Sequence, residues 1–174
     1  MPAQAGIHDF YLVMEHSFTI RFAKPGDAPK MLECHREAVF TKAASHYSPK
    51  ELEAWSPLAT AERTQRMENE IVDKNIIFLV AEKENQTLGF AIVNCKESKL
   101  GAVYAKPSRG KNVGRALLEK VEALAQQRGV THLAMEASLN AEEFYKAHGY
   151  SSLGRAKHNF SGVESEIVKM EKKL

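Results

Sequence analysis

The part of the sequence best suited to binding a ligand is a short basic loop between a strand pattern and a helix pattern. The apolar strand ends before Pro107, the loop contains Arg109 and Lys111, and an amphipathic helix begins at Val113. The free backbone N–H groups at a helix start and the positive end of the helix dipole favour an anion, above all phosphate. The loop is therefore predicted to bind phosphate, with ordinary surface lysines and arginines as the alternative.

The residues around this helix start narrow the kind of phosphate ligand. Gly110 and Gly114 let a ligand approach the backbone closely, and Arg115 adds positive charge. The sequence contains neither the GxxxxGK pattern nor a GxGxxG pattern after a strand. Nucleotide hydrolysis and a dinucleotide-binding fold are therefore disfavoured.

Hydrophobic periodicity predicts an α/β domain that positions this loop. Alternating or continuous apolar runs predict strands at 17–22, 76–81, 88–94, 100–105, 131–137, 151–157 and 164–170. Helical spacing predicts helices at 28–43, 49–55, 60–74, 113–128 and 141–148, with Gly129 capping the fourth. Because strands and helices alternate in the second half, we expect a mixed sheet covered by helices.

Composition limits the class of protein. The 174 residues are 44% hydrophobic and 26% charged, which is typical of one globular domain. The net charge of +2 gives no general attraction to nucleic acid or to an anionic membrane. Cys34 and Cys95 lack metal-binding spacing, so we expect reduced thiols, no metal and a cytoplasmic protein. No apolar run reaches the roughly 20 residues that a transmembrane helix needs.

The N-terminus differs from the rest of the chain in its pattern. Residues 1–16 are weakly patterned and make a poor signal peptide, so we expect an N-terminal extension open to disorder, followed by one domain over 17–174. Met14 lies just before the first strand pattern. Residues 1–13 are therefore interpreted as a dispensable leader or an artefact of the start-codon assignment.

Two segments resemble the sequence blocks of the GNAT superfamily of N-acetyltransferases. Residues 109–114 (RGKNVG) are similar to its acyl-CoA signature, [Arg/Gln]-x-x-Gly-x-[Gly/Ala], and residues 137–150 resemble its Asn-x-x-Ala-x-x-x-Tyr block with the following x-x-x-Gly-[Phe/Tyr]. Residues 46–49 (HYSP) with Trp55 further resemble a bacterial subgroup of uncharacterised members that carry Tyr-Ser-Pro and a nearby Trp. The resemblance extends from about residue 17 to the C-terminus.

The resemblance implies a fold and an activity. The fold would be a single-domain, mostly antiparallel sheet of about seven strands flanked by helices, with splayed central parallel strands that form the CoA cleft. The activity would be transfer of an acetyl group from acetyl-CoA to a primary amine, by direct attack in a ternary complex. The acceptor would be a small-molecule or peptide amine, with no nucleic-acid or membrane partner, and the chain a monomer or homodimer.

The resemblance also assigns roles to residues. The backbone of 109–114 would hold the CoA pyrophosphate, the strand at Tyr104 and Ala105 would bind the pantetheine and polarise the acetyl carbonyl, and Tyr145 would protonate the departing thiolate. Packing at the helix–sheet boundary is the alternative role for Tyr145. The implied cofactor-binding residues are Tyr104, Ala105, Arg109, Gly110, Lys111, Asn112, Val113, Gly114, Arg115, Ser138 and Tyr145.

Two positions depart from the family pattern. Asn112 stands where the signature has its first glycine, and if that position needs a positive φ, asparagine is the least costly replacement. Ser138 stands where the second block has asparagine. Asn140 lies two residues too late for that role, and with Glu143 three positions on it is predicted to cap the following helix. These departures motivate a second hypothesis, a catalytically weak CoA-binding regulatory or interaction module.

The acceptor side is less defined by sequence. His46, Tyr47 and Trp55 lie in the region that lines the acceptor pocket in GNAT folds, and packing around a proline-bounded turn is the equal alternative. The amine needs a base, for which Glu136, Glu82 or a water chain are the candidates. A lone histidine in the apolar stripe of the first helix, His35, is predicted to be a hydrogen-bonded core residue.

Overall fold

A seven-stranded sheet runs through the computed structural model, which describes residues 18–107 and 112–174. The strands are β1 (Thr19–Phe22), β2 (Ile76–Lys83), β3 (Gln86–Asn94), β4 (Lys99–Ala105), β5 (His132–Ala137), β6 (Ser151–Phe160) and β7 (Val163–Lys173). The helices are α1 (Ala28–Lys42), α2 (Pro49–Trp55), α3 (Ala61–Ile71), α4 (Val113–Gln127) and α5 (Glu142–Ala147), with a 3-10 turn at Leu139–Ala141. The predicted N-terminal extension lies outside the described residues.

The order of the strands in the sheet is β1-β2-β3-β4-β5-β7-β6. Neighbours are antiparallel throughout this sheet except for β4 and β5, which are parallel. The predicted α/β fold with a mixed, mostly antiparallel sheet of seven strands is confirmed. Strands β2, β3 and β6 run two or three residues further toward their turns than the hydrophobic pattern predicted, because tight turns with positive φ at Glu84, Asn85, Ser161 and Gly162 keep them paired to the turn. Strand β7 is longer mainly at its other end, where it pairs with β5 as far as Lys173.

The parallel pair diverges along its length. Ladder pairing between β4 and β5 is confined to Lys99 and Ala134, where the Ala134 N–H donates to the Ser98 carbonyl at 2.9 Å. From that point to Ala105 the described part of the sheet pairs β4 with β3 alone. The carboxyl ends of β4 and β5 therefore open into a cleft, as the predicted splay requires.

Helix α4 covers one face of the sheet beside this cleft. Its buried stripe includes Val113, Leu117 and Val121, as the helical spacing predicted. A Cβ at Gly89 on β3 would lie 2.6 Å from the Tyr104 carbonyl oxygen and 3.0 Å from both the Val113 and Leu117 side chains. Glycine at this position therefore allows the start of α4 to lie directly against the strands that form the cleft.

Helices α1 and α3 cover the other face. Alternate residues of β2 point to opposite faces, with Leu79 in the α4 core and Val80 in a second core beneath α1. His35 of α1 is buried there, with its Nδ1 2.6 Å from the Ser56 hydroxyl oxygen, and burial lowers its pKa to about 3. The prediction of a hydrogen-bonded core histidine is confirmed. No helix among the described residues is long and apolar enough to span a bilayer.

Candidate active site

The cleft between β4 and β5 contains a cavity whose wall combines both predicted family blocks. Strand β4 contributes Val103, Tyr104 and Ala105, α4 contributes Gly114, and the segment after β5 contributes Ser138, Asn140, Ala141, Phe144 and Tyr145. The end of α1 and Trp55 of α2 close the remaining side. We call this space the acyl cavity.

A residue in the left-handed conformation, Asn112, precedes α4, and Gly114 in the first turn of this helix lines the acyl cavity. Asn112 has φ 84° and ψ 0° and precedes the helix, and its carbonyl accepts from the Ala116 N–H at 2.9 Å. Asparagine thus takes the conformation for which the sequence suggested it as the least costly replacement. Arg115 lies on the exposed side of α4 in an ion pair with Glu119 at 2.8 Å. Arg109, Gly110 and Lys111 lie outside the described residues.

Tyr145 lies at the wall of the acyl cavity with only 5% of its surface exposed. Its ring packs edge-on against Phe144 and Tyr150, at centroid distances of 5.1 and 5.4 Å. No group in residues 18–107 or 112–174 hydrogen-bonds its hydroxyl, whereas the Tyr150 hydroxyl donates to Glu122 at 2.8 Å. Burial raises the pKa of Tyr145, and the nearby Tyr104 and Glu122 raise it further, so the phenol remains protonated near neutral pH.

Asn140 does not cap α5, so that prediction is wrong. The residue before α5 is Ala141, and no side-chain hydrogen bond caps this helix. The reason is the 3-10 turn at Leu139–Ala141, which delays the helix start and places Asn140 inside the turn. Its Oδ1 atom is buried without a partner among the described groups, in a residue that lines the acyl cavity. Ser138, at the family's asparagine position, lines the same cavity.

A second cavity adjoins the first. Trp55, Tyr104 and Ser138 line both of them, so these three side chains form the boundary between the two spaces. The second cavity is also lined by Glu136 and His158, whose Oε2 and Nδ1 atoms are 2.8 Å apart. We call this space the acceptor cavity because it reaches the acyl cavity from the other side of Tyr104.

The three residues predicted for the acceptor side differ in position. Trp55 is stacked on Phe160 at a centroid distance of 5.5 Å. Tyr47 lines the acceptor cavity, but its hydroxyl donates to the Glu166 carbonyl at 2.8 Å and accepts from the Leu139 N–H at 2.9 Å. His46 is exposed, with its ring beside the Ser45 hydroxyl, and is not one of the described residues that line either cavity.

The two carboxylates considered as bases are also in different surroundings. Arg21 binds Glu82 through two hydrogen bonds, at 2.9 and 2.8 Å, and this pairing lowers the Glu82 pKa. Glu82 is not among the described lining residues of either cavity, whereas Glu136 is. Its partner His158 was missed by the sequence analysis. The two residues are 22 positions apart in sequence and meet only through the pairing of β5, β7 and β6, and no local pattern reports that contact.

Metal ligation and thiol chemistry gain no support from the described residues. They contain no group of three or more His, Cys, Asp or Glu side chains that could hold a metal ion. Cys34 is buried in the core beneath α1, where burial raises the pKa of its thiol to about 12. Such a thiol is not a nucleophile near neutral pH.

Comparisons with known proteins agree with this geometry. A family model described as the acetyltransferase (GNAT) domain matches residues 43–174. A GCN5-related N-acetyltransferase from Rhodopseudomonas palustris has a TM-score of 0.80 at 26% identity, over 90% of this chain and 95% of that one. PaiA N-acetyltransferase from Thermoplasma acidophilum, solved in complex with coenzyme A, has a TM-score of 0.73 at 25% identity, over 91% and 100%.

A third solved structure also has the same fold. Ribosomal-protein-alanine N-acetyltransferase from Brucella melitensis has a TM-score of 0.67 at 26% identity, over 90% of this chain and 99% of that one. The family match covers well over half of the chain and contains both walls of the cleft. This chain therefore belongs to the GNAT acetyltransferase family.

Proposed function

We propose that this protein transfers an acetyl group from acetyl-CoA to a primary amine by direct attack in a ternary complex. The observation that carries the proposal is Tyr145, a residue only 5% exposed that lines the acyl cavity and whose hydroxyl has no hydrogen-bond partner among the described residues. The same cavity is lined by Asn140, whose Oδ1 is buried without a partner among the described groups, as is expected where a ligand completes the site. The family membership of the chain supports the same activity.

The residues of the cleft fit an acyl-CoA. The edge of β4 toward the cleft has backbone groups that β5 does not pair, which suits the amide-containing pantetheine arm. The buried Oδ1 of Asn140 is an acceptor for one of its N–H groups. The start of α4 after Asn112 provides the N–H groups for the pyrophosphate, with Arg109 and Lys111 proposed to flank it. The coenzyme A complex of the Thermoplasma acidophilum relative supports this assignment.

The chemistry follows from the groups around the cleft. The amine nitrogen forms a bond to the acetyl carbon, and the bond between that carbon and the CoA sulfur breaks. The sulfur leaves as a thiolate and accepts a proton from the Tyr145 hydroxyl, which is the protonated group that lines the acyl cavity, and a proton lost by the amine nitrogen restores the phenol. Backbone N–H groups of β4 near Tyr104 and Ala105 stabilise the negative charge on the carbonyl oxygen.

Direct attack is favoured over an acyl-cysteine intermediate. Neither Cys34 nor Cys95 is among the described residues that line the two cavities, and the Cys34 thiol is deep in the core. A covalent intermediate needs a nucleophile at the acyl carbon. Among its described lining residues, the acceptor cavity instead offers the carboxylates Glu70, Glu97 and Glu136 against the single lysine Lys99, an environment that attracts a cationic amine.

The test separates catalysis from binding alone. Acetyl-CoA is incubated with butylamine, 1,4-diaminobutane, L-lysine and a peptide that begins with alanine, and free CoA thiol and acetylated amine are both measured. We expect stoichiometric formation of the two products with at least one amine. A melting-temperature rise with acetyl-CoA, worth roughly 2.7 kcal/mol at about 100 times its Kd, but no acetylated product with any amine would favour the binding module.

A further inference from the structure

We propose that His158 is the base that takes the proton from the acceptor amine, and that Glu136 holds the imidazole in position for this transfer. The inference rests on the proposed acetyl transfer to an amine. It concerns a histidine that neither the loop signature nor the tyrosine block identifies.

The first support is the position of the pair in the sheet. Glu136 lies on β5 and His158 on β6, with β7 between them, so the two side chains meet across the face of a strand. The Nδ1–Oε2 distance is 2.8 Å, and the side chains are 40% and 32% exposed for the histidine and the glutamate. Both residues line the acceptor cavity together with Ile167 of β7. The pair thus contacts the space that a substrate would occupy.

The second support is the orientation of the imidazole. The Glu136 carboxylate lies 2.8 Å from Nδ1 and so favours the tautomer with its proton on Nδ1, which leaves the lone pair on Nε2, the atom that can accept a proton. The His158 ring also lies against Phe160 at a centroid distance of 4.4 Å, and Phe160 is in turn stacked on Trp55. A carboxylate on one nitrogen and an aromatic ring on one face restrain the side chain before any amine binds.

The third support is the route from the base to the acyl group. Trp55, Tyr104 and Ser138 line both cavities, so an amine in the acceptor cavity borders the place where the thioester would lie. A primary ammonium (pKa about 10.4) has no lone pair for attack near neutral pH. His158 removes one ammonium proton, which it later releases to solvent, the freed nitrogen bonds to the acetyl carbon, and Glu136 stabilises the imidazolium that results. The second amine proton leaves the nitrogen as the C–S bond breaks and restores the Tyr145 phenol. The thiolate takes its proton from Tyr145 on the opposite side.

Other charged groups surround the pair. The acceptor cavity is also lined by Glu70 of α3, Glu97 before β4 and Lys99 of β4. On β7, the residue opposite His158 is Ser165. The carboxylates on either side of Ser165 form ion pairs, Glu164 with Lys157 and Glu166 with Arg155. On α2, the Glu51 carboxylate accepts a hydrogen bond from the Ser48 N–H. Burial raises the pKa of Glu70, which makes this carboxylate the competing base.

The experiment uses the panel amine that the wild-type protein acetylates fastest and measures kcat/KM against pH. The variants are His158→Gln, Glu136→Gln and Glu70→Gln. The matched control is His132→Gln. His132 forms a similar pair, 3.1 Å from Glu171, and its side chain is 42% exposed. It lies on β5, the strand of Glu136, but is not among the described residues that line either cavity. Melting temperature and acetyl-CoA binding are measured for every variant.

The expected pH profiles differ in shape. Wild-type kcat/KM rises and then levels off well below the amine pKa, because a base in the protein takes the amine proton. His158→Gln loses roughly 100-fold or more near pH 7, and its kcat/KM keeps rising tenfold per pH unit toward the amine pKa, because only the free amine in solution can then react. Glu136→Gln lowers the rate less and keeps the plateau. The His132 control matches wild type.

A second measurement keeps the proposal testable if a variant is unstable. Ethylamine and 2,2,2-trifluoroethylamine are compared at about pH 7, where the fluorinated amine is already neutral and needs no base to free its lone pair before attack. The loss in His158→Gln, or in Glu136→Gln if the first does not fold, should be large with the basic amine and small with the neutral one.

The possible results distinguish a failure of the proposed acetyl transfer from a failure of the assignment of His158 as the base. If wild-type protein acetylates no amine, the proposed function fails before the base is at issue. If wild-type protein is active and His158→Gln keeps both the rate and the plateau, or Glu70→Gln alone removes the plateau, the assignment of His158 is overturned. An equal loss with both ethylamines also overturns it, since a structural defect would slow both reactions alike.

Discussion

Two neighbouring tyrosines in the core beside the cleft differ in what their hydroxyl groups contact, and this difference predicts opposite effects of the same substitution. The ring centroids of Tyr145 and Tyr150 are 5.4 Å apart, and both side chains are almost fully buried. The Tyr150 hydroxyl donates to Glu122 at 2.8 Å, whereas the Tyr145 hydroxyl has no hydrogen-bond partner in the described chain and lines the acyl cavity. Phenylalanine removes only the hydroxyl and keeps the ring.

The magnitudes follow from these contacts. Tyr145→Phe removes the proton donor, so kcat should fall by roughly 100- to 10,000-fold, while the free energy of unfolding changes by less than about 0.5 kcal/mol, because no protein hydrogen bond is lost. Tyr150→Phe leaves the buried Glu122 carboxylate with Lys172 at 2.6 Å as its remaining described partner. Loss of a hydrogen bond to a charged group costs roughly 1.5–3 kcal/mol, equivalent to about 3–12 °C in Tm for a chain of this size.

The assay pairs a rate with a melting curve. Acetyl transfer is measured by thiol release at saturating acetyl-CoA and amine, and Tm is measured for the same protein samples. We expect Tyr145→Phe to be slow and stable, and Tyr150→Phe to be active and less stable. A Tyr145→Phe rate within twofold of wild type would refute the role of the phenol as proton donor, and a Tm loss in that variant equal to that of Tyr150→Phe would refute the statement that its hydroxyl is free.

Three further predictions follow from local geometry. Asn140→Ala should raise the KM for acetyl-CoA by about 2- to 12-fold without lowering Tm, because the buried Oδ1 has no partner among the described residues. An unchanged KM would show that the ligand makes no hydrogen bond to this oxygen. Asn112→Ala should lose about 1–2 kcal/mol of stability at φ 84°, and Asn112→Gly should not; urea unfolding of both variants distinguishes them. The His35 pKa of about 3 lies below the unfolded value of about 6.5, so the stabilisation from neutral His35 is complete above pH 6.5 and is lost as pH falls toward 3, by up to roughly 5 kcal/mol. His35→Gln should flatten this part of the curve of unfolding free energy against pH. An unchanged slope would contradict the prediction.

The sheet and its helices could be predicted because each element carries its own pattern. The stripe of α4, the alternation in β2 and β3, and the glycine after α4 at residue 129, with φ 84°, are local features that the structure confirms. The cleft between β4 and β5 is different, since periodicity does not report where two strands part. Its prediction came from the resemblance of two short segments to a known family, and the confinement of pairing to Lys99 and Ala134 confirms it.

The errors have a common physical cause. The spacing of Asn140 and Glu143 is a good capping pattern, but the backbone first makes a 3-10 turn at Leu139–Ala141, so the helix begins only at Glu142. His158 and Glu136 come together because β5 and β6 lie on either side of β7 in the sheet, and the local sequence around each residue does not indicate this strand order. Side chains that meet across a third strand are beyond what local spacing can indicate.

The Tyr-Ser-Pro…Trp segment is where packing and function were set against each other, and the structure shows why neither interpretation excludes the other. The Tyr47 hydroxyl bridges the Leu139 N–H, at the turn before α5, and the Glu166 carbonyl of β7. Its ring packs edge-on against Trp55 at 5.6 Å, and Trp55 lines both cavities. The turn before α5 therefore has a direct hydrogen bond to the same tyrosine that supports the cavity wall. Tyr47 thus lines the acceptor cavity while its hydroxyl is fully used in hydrogen bonds within the protein. Such a residue contributes to ligand binding through the shape of its ring and not through a hydrogen bond.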